Sequence, residues 1–389
     1  MKITSAQARR LTLNYQLNRF ADSGGKLGVL DVINKLSYVQ IDTISVVERA
    51  HHHILYNRVK DYRPEHLNDL LAKDKTIWEY WAHAAAYVPI EDYPYYKIRM
   101  HNFPNGSWEK RFWELHKDLA KPILNRIRKE GPLSTRHFEN TRKTKSSEPW
   151  GNLKPAKIML ELLMWKGNLI VTARDNFQRV YDLTERVIPD HKKIELPSDQ
   201  KRAEFMIRRT LQAHGLATEN DINNHIKLAE RKIVNTTLKH LLHKGMILSA
   251  KIDNVKDDFY VLADTDLALM PVNPFPDKLY ILSPFDNAVI LRKRLLQIFN
   301  FEYALECYVT PVKRIFGYWN CPLLWRDELV GMLDPKADRK SKNLIINSIF
   351  IDKKIWKLKS FQKAFEHEVS SFAAFNGCKT FTVNNINLT

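Results

Sequence analysis

The stretch "KPAKIMLELLMWKGNLIVTARDNFQRVYDLT", residues 154–184, decides how the rest of the chain is read. "KPAKIMLELLMWKG" reads as a helix ended by Gly167 at the usual C′ position. "NLIVTA" and "RVYDLT" are strand-like, and "RDNFQ" between them reads as a hairpin loop. Upstream, "LAKPILNRIRKEG" reads as a helix stopped by Gly131, and "PLSTRHFE" as a short second helix capped by Ser134. Helix, short helix, helix and two-stranded wing is the winged-helix order, in which the third helix enters the major groove.

The order returns downstream. "SDQKRAEFMIRRTLQAHG" predicts a helix from a Ser198 cap to Gly215, "LATENDINNHI" a short helix after Thr218, and "ERKIVNTTLKHLLHKG" a third helix ending at Gly245. "MILSAKI" and "FYVLA" then flank the turn "DNVKDD". The two third helices share paired leucines and Lys-Gly before the wing, at Leu162-Leu163 and Leu241-Leu242. Repetition of this kind marks a tandem array. A more divergent copy is expected at the N-terminus: helices at "SAQARRLTLNYQLNRF", "VLDVINKLSY" and "VVERAHHHILYNRV", then strands at "TIWEYWA" and "AAYVPI". The polar run "TRKTKSSEPWGN" reads as a linker.

Beyond residue 265 the character changes. Strands are expected at "YALECYV", "FGYWNCPLLW", "ELVGMLD" and "NLIINSIFI", between helices at "AVILRKRLLQIF" and "SFQKAFEHEVSSFAAFNG". The fold class is therefore α+β: tandem winged-helix modules over residues 1–115, 116–190 and 191–265, then a C-terminal α+β domain with an antiparallel sheet over 266–389.

Charge narrows the function. The 389 residues carry a formal net charge of +17, from 61 Lys and Arg against 44 Asp and Glu. Residues 121–180 alone hold 13 basic and 5 acidic side chains, nearly half of that excess. Such clustering favours a phosphate-facing surface, with Lys154, Lys157, Lys166, Arg174 and Arg179 as the candidate DNA contacts. No run approaches the roughly 18 apolar residues of a membrane span. "MKITSAQARRLTL" lacks the apolar core of a secretory signal, so a cytoplasmic location is expected, and the chain is expected to act as a monomer. The three cysteines, Cys307, Cys321 and Cys378, have no metal-like spacing.

The motif with chemical promise is "YVQIDTISVV", residues 38–47, which sets Gln40 and Asp42 inside an apolar run. A buried unpaired carboxylate is costly, so Asp42 either caps a helix or is kept for chemistry. If residues 39–43 are extended, Gln40 and Asp42 share one face and Val39, Ile41 and Thr43 the other. "HHH" at 51–53 points three ways from a helix and predicts no metal site. "WEYWAHAAAYVP" reads as core, with His51 and His83 as possible neighbours of a polar site. Asp286, Asp334 and Asp338 read as turn or cap residues. Phosphate loops, GxSxG elbows and paired CxxC are absent, and no cofactor is expected.

These runs, with "GPLSTRHFE", "LSPFDN", "RKRLLQIFNFEYALECYV" and "MLDPKADRK", resemble the AlkZ/YcaQ-type winged-helix DNA glycosylases along most of the chain. In that family a Gln-x-Gln or Gln-x-Asp motif is catalytic, which the resemblance places on Gln40 and Asp42. It implies excision of alkylated purines from double-stranded DNA and, for the Gln-x-Asp form, unhooking of interstrand crosslinks. It also implies a concave DNA-binding surface built by three winged helices. The family often has an Asp where this chain has His137. The competing reading is a winged-helix transcriptional regulator, which needs the basic charge but not Gln40 and Asp42.

Overall fold

The computed structural model describes residues 1–20, 22, 24–139, 153–265 and 277–389. The whole of the expected linker, residues 141–152, lies outside them. Among the described residues no helix is long and apolar enough to cross a membrane.

One order of elements occurs three times. The second copy runs Ala120–Glu130, Leu133–Ser134, Thr135–His137, Pro155–Trp165 and the hairpin Leu169–Asp175/Gln178–Leu183. The third runs Asp199–His214, Ala217–Thr218, Glu219–His225, Arg231–His243 and Ile247–Ile252/Phe259–Leu262. The first runs Gly25–Leu36, Val39–Gln40, Ala50–Tyr56, Pro64–Ala72 and Ile77–Trp81/Ala85–Pro89. In each, the short strand pairs with the second strand of the hairpin. The short middle helices of the second and third copies start by the same device. In the third copy Thr218 and Asp221 form a capping box, and in the second Ser134 N–H donates to His137 Nδ1 at 3.0 Å. His137 thus supplies the acceptor that a carboxylate supplies in Asp221.

The first copy differs from its sequence reading. The helix at Ser5–Gln16 packs on the third copy, its Ala8 and Leu11 meeting Leu216 and Phe259, while Lys2–Ile3 adds a parallel strand beside Lys251–Ile252. Its place is taken by Pro64–Ala72, a nine-residue helix missed in the sequence although Pro64 sits at the favoured first-turn position. The expected helix over 46–59 shortens to Ala50–Tyr56, which leaves residues 41–49 without regular structure.

Packing places the first copy centrally. One face of its sheet shares a core with the second copy, through Val39, Ile41 and Tyr87 against Leu163 and Val171. The other face, through Tyr38, Tyr80 and Val88, joins the core of the third copy. Val47 and Ala50 enter the core of the C-terminal domain, which closes around Trp319, Phe361 and Phe372. Arg58 pins this junction: it donates to Asp286 at 2.8 and 2.6 Å, and both side chains are fully buried. Asp286 is thus an ion-pair partner rather than only a turn residue, and Asp334 is buried, accepting from Trp319 N at 2.8 Å.

The C-terminal sheet runs Leu279–Ile281, Cys321–Trp325, Glu328–Asp338, Asn343–Ile351, and Thr380–Val383. It is mixed rather than antiparallel, because Thr380–Val383 and Ile386–Leu388 both add parallel to Asn343–Ile351. The long helix Lys359–Phe375 supplies the crossover that parallel pairing requires. "YALECYV" forms no strand: residues 301–309 belong to a loop that continues to Asn320.

Candidate active site

Val39 and Gln40 form a two-residue strand, and Ile41 N–H extends it by one bond to Ala85 O at 2.8 Å. After Ile41 the chain leaves the sheet. Asp42 Oδ1 accepts the Ile44 N–H at 2.7 Å, an Asx turn. The next helix begins eight residues later, with Arg49 at its N-cap and no side-chain cap. Asp42 therefore caps a turn, not a helix. The segment beyond is clamped to the C-terminal domain. Ala337 N–H donates to Val46 O at 2.7 Å, and Arg339 reaches Ser45 O and Val47 O at 3.0 and 3.2 Å.

The two polar residues of the motif sit in different surroundings. Gln40 is 6% exposed, and its Oε1 has no hydrogen-bond partner among the described residues. A buried carbonyl without a donor is costly and well placed to receive one. Asp42 is half-buried; burial raises its pKa above the ordinary 3.8, and the Ile44 N–H partly opposes that rise. Among the described residues its Oδ2 makes no hydrogen bond. Cys307 and Tyr308 lie close enough that the Asp42 charge adds to burial in pushing their pKa values up.

That neighbourhood belongs to the loop misread as strand. Glu306 organises it: its carboxylate accepts the N–H groups of Ile315, Phe316 and Gly317 at 2.7–3.1 Å. The loop presents apolar side chains to solvent, Tyr308 at 79%, Val312 at 98% and Ile315 at 70% exposed. Exposed apolar clusters of this kind mark contact surfaces. The available signal was "YVTPVKRIFG", whose Pro311 and paired cations fit a loop better than a strand.

On the other side of the segment, Ile41 and Thr43 line a groove of about 620 Å³ with Arg136, Lys154, Lys157, Arg174 and Arg179. Four of the five expected DNA contacts therefore come together beside the motif. Their charges are not equally available. Glu79, 1% exposed, accepts from Arg174 Nη2 at 2.7 Å and from Arg179 Nε at 3.1 Å. Burial pushes the Glu79 carboxyl up, but the two guanidiniums outweigh it and leave its pKa below the usual range. Arg174 and Arg179 thus fasten the second hairpin to the first sheet. Lys154 donates to Phe138 O at 3.3 Å, and Lys166 lies elsewhere, its Nζ 4.1 Å from the Trp113 ring centroid.

The two histidines are not brought together. His51 is buried against Phe177, ring centroids 5.9 Å apart, and burial with the neighbouring His52, Arg174 and Arg49 holds it neutral. His83 bonds Asn224 O at 2.8 Å on the side of the third copy. No group of three or more metal-ligating side chains occurs among the described residues.

Residues 33–375 match a family model described as DNA glycosylase AlkZ-like. Among solved structures, the DNA glycosylase AlkZ of Streptomyces sahachiroi aligns over 99% of this chain and 100% of its own, with a TM-score of 0.65 at 17% identity. The latter is a likeness of fold.

Proposed function

From its membership of the AlkZ-like DNA glycosylase family, to which the chain belongs over most of its length, we propose that it hydrolyses the N-glycosidic bond of N7-alkylated purines in duplex DNA, with Asp42 as base and Gln40 as its partner. The observation that carries this reading is a half-buried carboxylate with one oxygen uncommitted among the described residues, set two residues after a buried amide oxygen that lacks a donor.

Alkylation at N7 makes the purine cationic, so it departs with little need of protonation. The remaining work is to place a water at the anomeric carbon and to stabilise an oxocarbenium-like sugar. Asp42 Oδ2 accepts the water's proton and sets negative charge near the developing positive charge. Glycoside hydrolases use carboxylates on the same logic. Gln40 Oε1 accepts the water's second O–H, which orients a lone pair without acting as a base. No lysine stands in the motif to form a Schiff base, so the chain acts without strand cleavage.

The three repeated units act as winged-helix modules around the duplex, with Lys154, Lys157 and Arg136 neutralising phosphates along the groove. The site is open rather than enclosed: Thr43 and Ser45 are exposed beside Asp42. That openness admits bulky adducts and crosslinks, which cannot swing into a closed pocket. The loop bearing Tyr308, Val312 and Ile315 enters the groove of the duplex and probes the lesion.

A duplex carrying one N7-methylguanine, incubated with the protein and then with mild alkali, tests the reading. Cleavage at the lesion is the expected result. Sequence-selective binding without cleavage is the outcome of a regulator and sinks the proposal.

A further inference from the structure

The hairpin of the second copy turns through Asn176 and Phe177, since Asp175 and Gln178 form its last pair. Both turn residues have positive φ, 48° and 67°. A two-residue turn of that kind favours Asn-Gly. Phe177 stands where glycine is preferred, and a bulky side chain in the left-handed region carries strain. Such strain persists where surrounding contacts over-determine the residue. Phe177 lines the basic groove. Two guanidiniums stack on its ring, Arg174 with Cζ 4.2 Å and Arg49 with Cζ 4.1 Å from the centroid, and His51 lies nearly parallel to it at 5.9 Å.

The two arginines differ in what else they hold. Arg174 is neutralised by Glu79 and also donates to Phe177 O at 2.9 Å. Arg49 has no such partner. Its Nε is buried and meets no acceptor, and among the described residues no carboxylate stands within ion-pair distance of it. The neighbouring Glu48 accepts the Arg49 backbone N–H at 3.0 Å instead. His51 is held neutral, by burial first, and supplies no counter-charge. A half-buried guanidinium with open donors is costly unless an anion meets it. The segment that carries Arg49 also carries the motif. Arg49 immediately precedes the helix Ala50–Tyr56, in the run whose Ser45 and Val47 carbonyls are clamped by Arg339. Ile41 and Thr43 of the same run line the groove together with Phe177.

We propose that Arg49 is a substrate-positioning residue: its guanidinium, stacked on Phe177, grips a backbone phosphate beside the lesion and so holds the damaged nucleotide against Gln40 and Asp42. The inference rests on the glycosylase reading. Stacking on a ring fixes the plane of the guanidinium, and its N–H fork then suits bidentate contact with a phosphate. Lysine in its place carries the charge but neither the plane nor the fork. The strained turn has a use on this account, since Phe177 is the surface that sets the plane.

The probe is a duplex bearing one N7-methylguanine on a 2′-fluoro sugar, which resists hydrolysis. A neutral methylphosphonate replaces one phosphate at a time around the lesion, on either strand, and binding to the full chain is read by fluorescence anisotropy. One linkage is expected to cost wild type about tenfold or more when neutralised, the scale of a lost charged hydrogen bond. Arg49→Met keeps the bulk of the side chain, binds the all-phosphate duplex more weakly by a similar factor, and is indifferent to that linkage. Arg49→Lys keeps the charge and regains only part of the affinity. Equal sensitivity of wild type, Arg49→Met and Arg49→Lys at every linkage overturns the clamp. So does a fall in melting temperature with unchanged affinity in Arg49→Met, the mark of a packing role alone. Excision of N7-methylguanine from the ordinary deoxy duplex, with enzyme saturating, is measured on the same preparations and falls about tenfold in Arg49→Met. Excision by wild type without any linkage coupling refutes the clamp and leaves the enzyme reading standing. Coupling at one linkage without excision refutes the enzyme reading and leaves the phosphate contact.

Discussion

Replacing Asp42 by Asn separates chemistry from architecture at one position. Asn retains an Oδ1 that accepts the Ile44 N–H, now 2.7 Å from the carboxylate, so the Asx turn persists. The segment beyond is held by Ala337 and Arg339 through backbone carbonyls, with no contribution from the charge at 42. Folding therefore survives. Stability has a sign as well. Burial raises the Asp42 pKa in the folded chain, so its ionised form is disfavoured there and stability falls as pH rises through that pKa. Asp42→Asn removes the penalty and leaves the melting temperature at neutral pH equal or slightly higher. Catalysis responds differently. Loss of a base and of a charge beside the forming cation lowers the excision rate by on the order of 10² or more, about 2.7 kcal/mol of barrier. Single-turnover excision with enzyme in excess, on N7-methylguanine DNA, measures the step directly. The wild-type rate climbs with pH through an Asp42 pKa lying above the ordinary 3.8, and the variant lacks that limb. Gln40→Ala loses less, because Asp42 still holds the water. A fully active Asp42→Asn enzyme would show that the carboxylate only shapes the turn.

DNA affinity falls steeply with salt, and Lys157→Ala lowers the log–log slope by about 1, the loss of one phosphate contact. Arg174→Ala changes that slope little, because Glu79 already holds its charge; equal effects by fluorescence anisotropy would refute the distinction. Glu79→Gln leaves two part-buried guanidiniums without their carboxylate and costs on the order of 3 kcal/mol in urea unfolding. Because the folded Glu79 pKa lies below its ordinary 4.5, the gap between wild type and variant is full above 4.5 and closes as pH falls through the folded value. Burial pushes Glu368 up to about 8, so the folded chain loses stability as pH rises from the ordinary carboxylate range through 8. Glu368→Gln accordingly melts above wild type in alkaline buffer and level with it in acid.

How much of this was legible in the sequence depends on the range of the interaction. The repeated units were readable because their signals are local: Gly167 and Gly245 both adopt positive φ where the helices stop, and Ser198 and Thr218 cap as their positions imply. The alternation that sets Gln40 opposite Ile41 was readable for the same reason. The loop around Glu306 was not, because "YALECYV" has strand composition and its conformation is fixed by one carboxylate taking N–H groups from residues 315–317. The assignment of Ser5–Gln16 to the first unit failed similarly, since the partners of Ala8 and Leu11 lie some 200 residues away.

Arg174 and Arg179 show the limit most clearly, and also a way past it. Read alone, two arginines on a basic wing are phosphate contacts. Their partner, Glu79, stands about 95 residues upstream in "TIWEYWA", where it is the one charge among three aromatic side chains. A carboxylate in such a strand cannot be left buried without a cation. Three-stranded pairing with period two puts Glu79 on the face of Val39 and Tyr87, which packs on the second unit. The cation therefore had to come from the second unit, and the alternate positions of its hairpin facing that sheet include Arg174 and Arg179, themselves a cross-strand pair. The same reasoning sorts the remaining charges: a basic residue opposite a buried acid holds the fold together, and one without such an acid, as at Lys157, is the kind we propose for a phosphate contact.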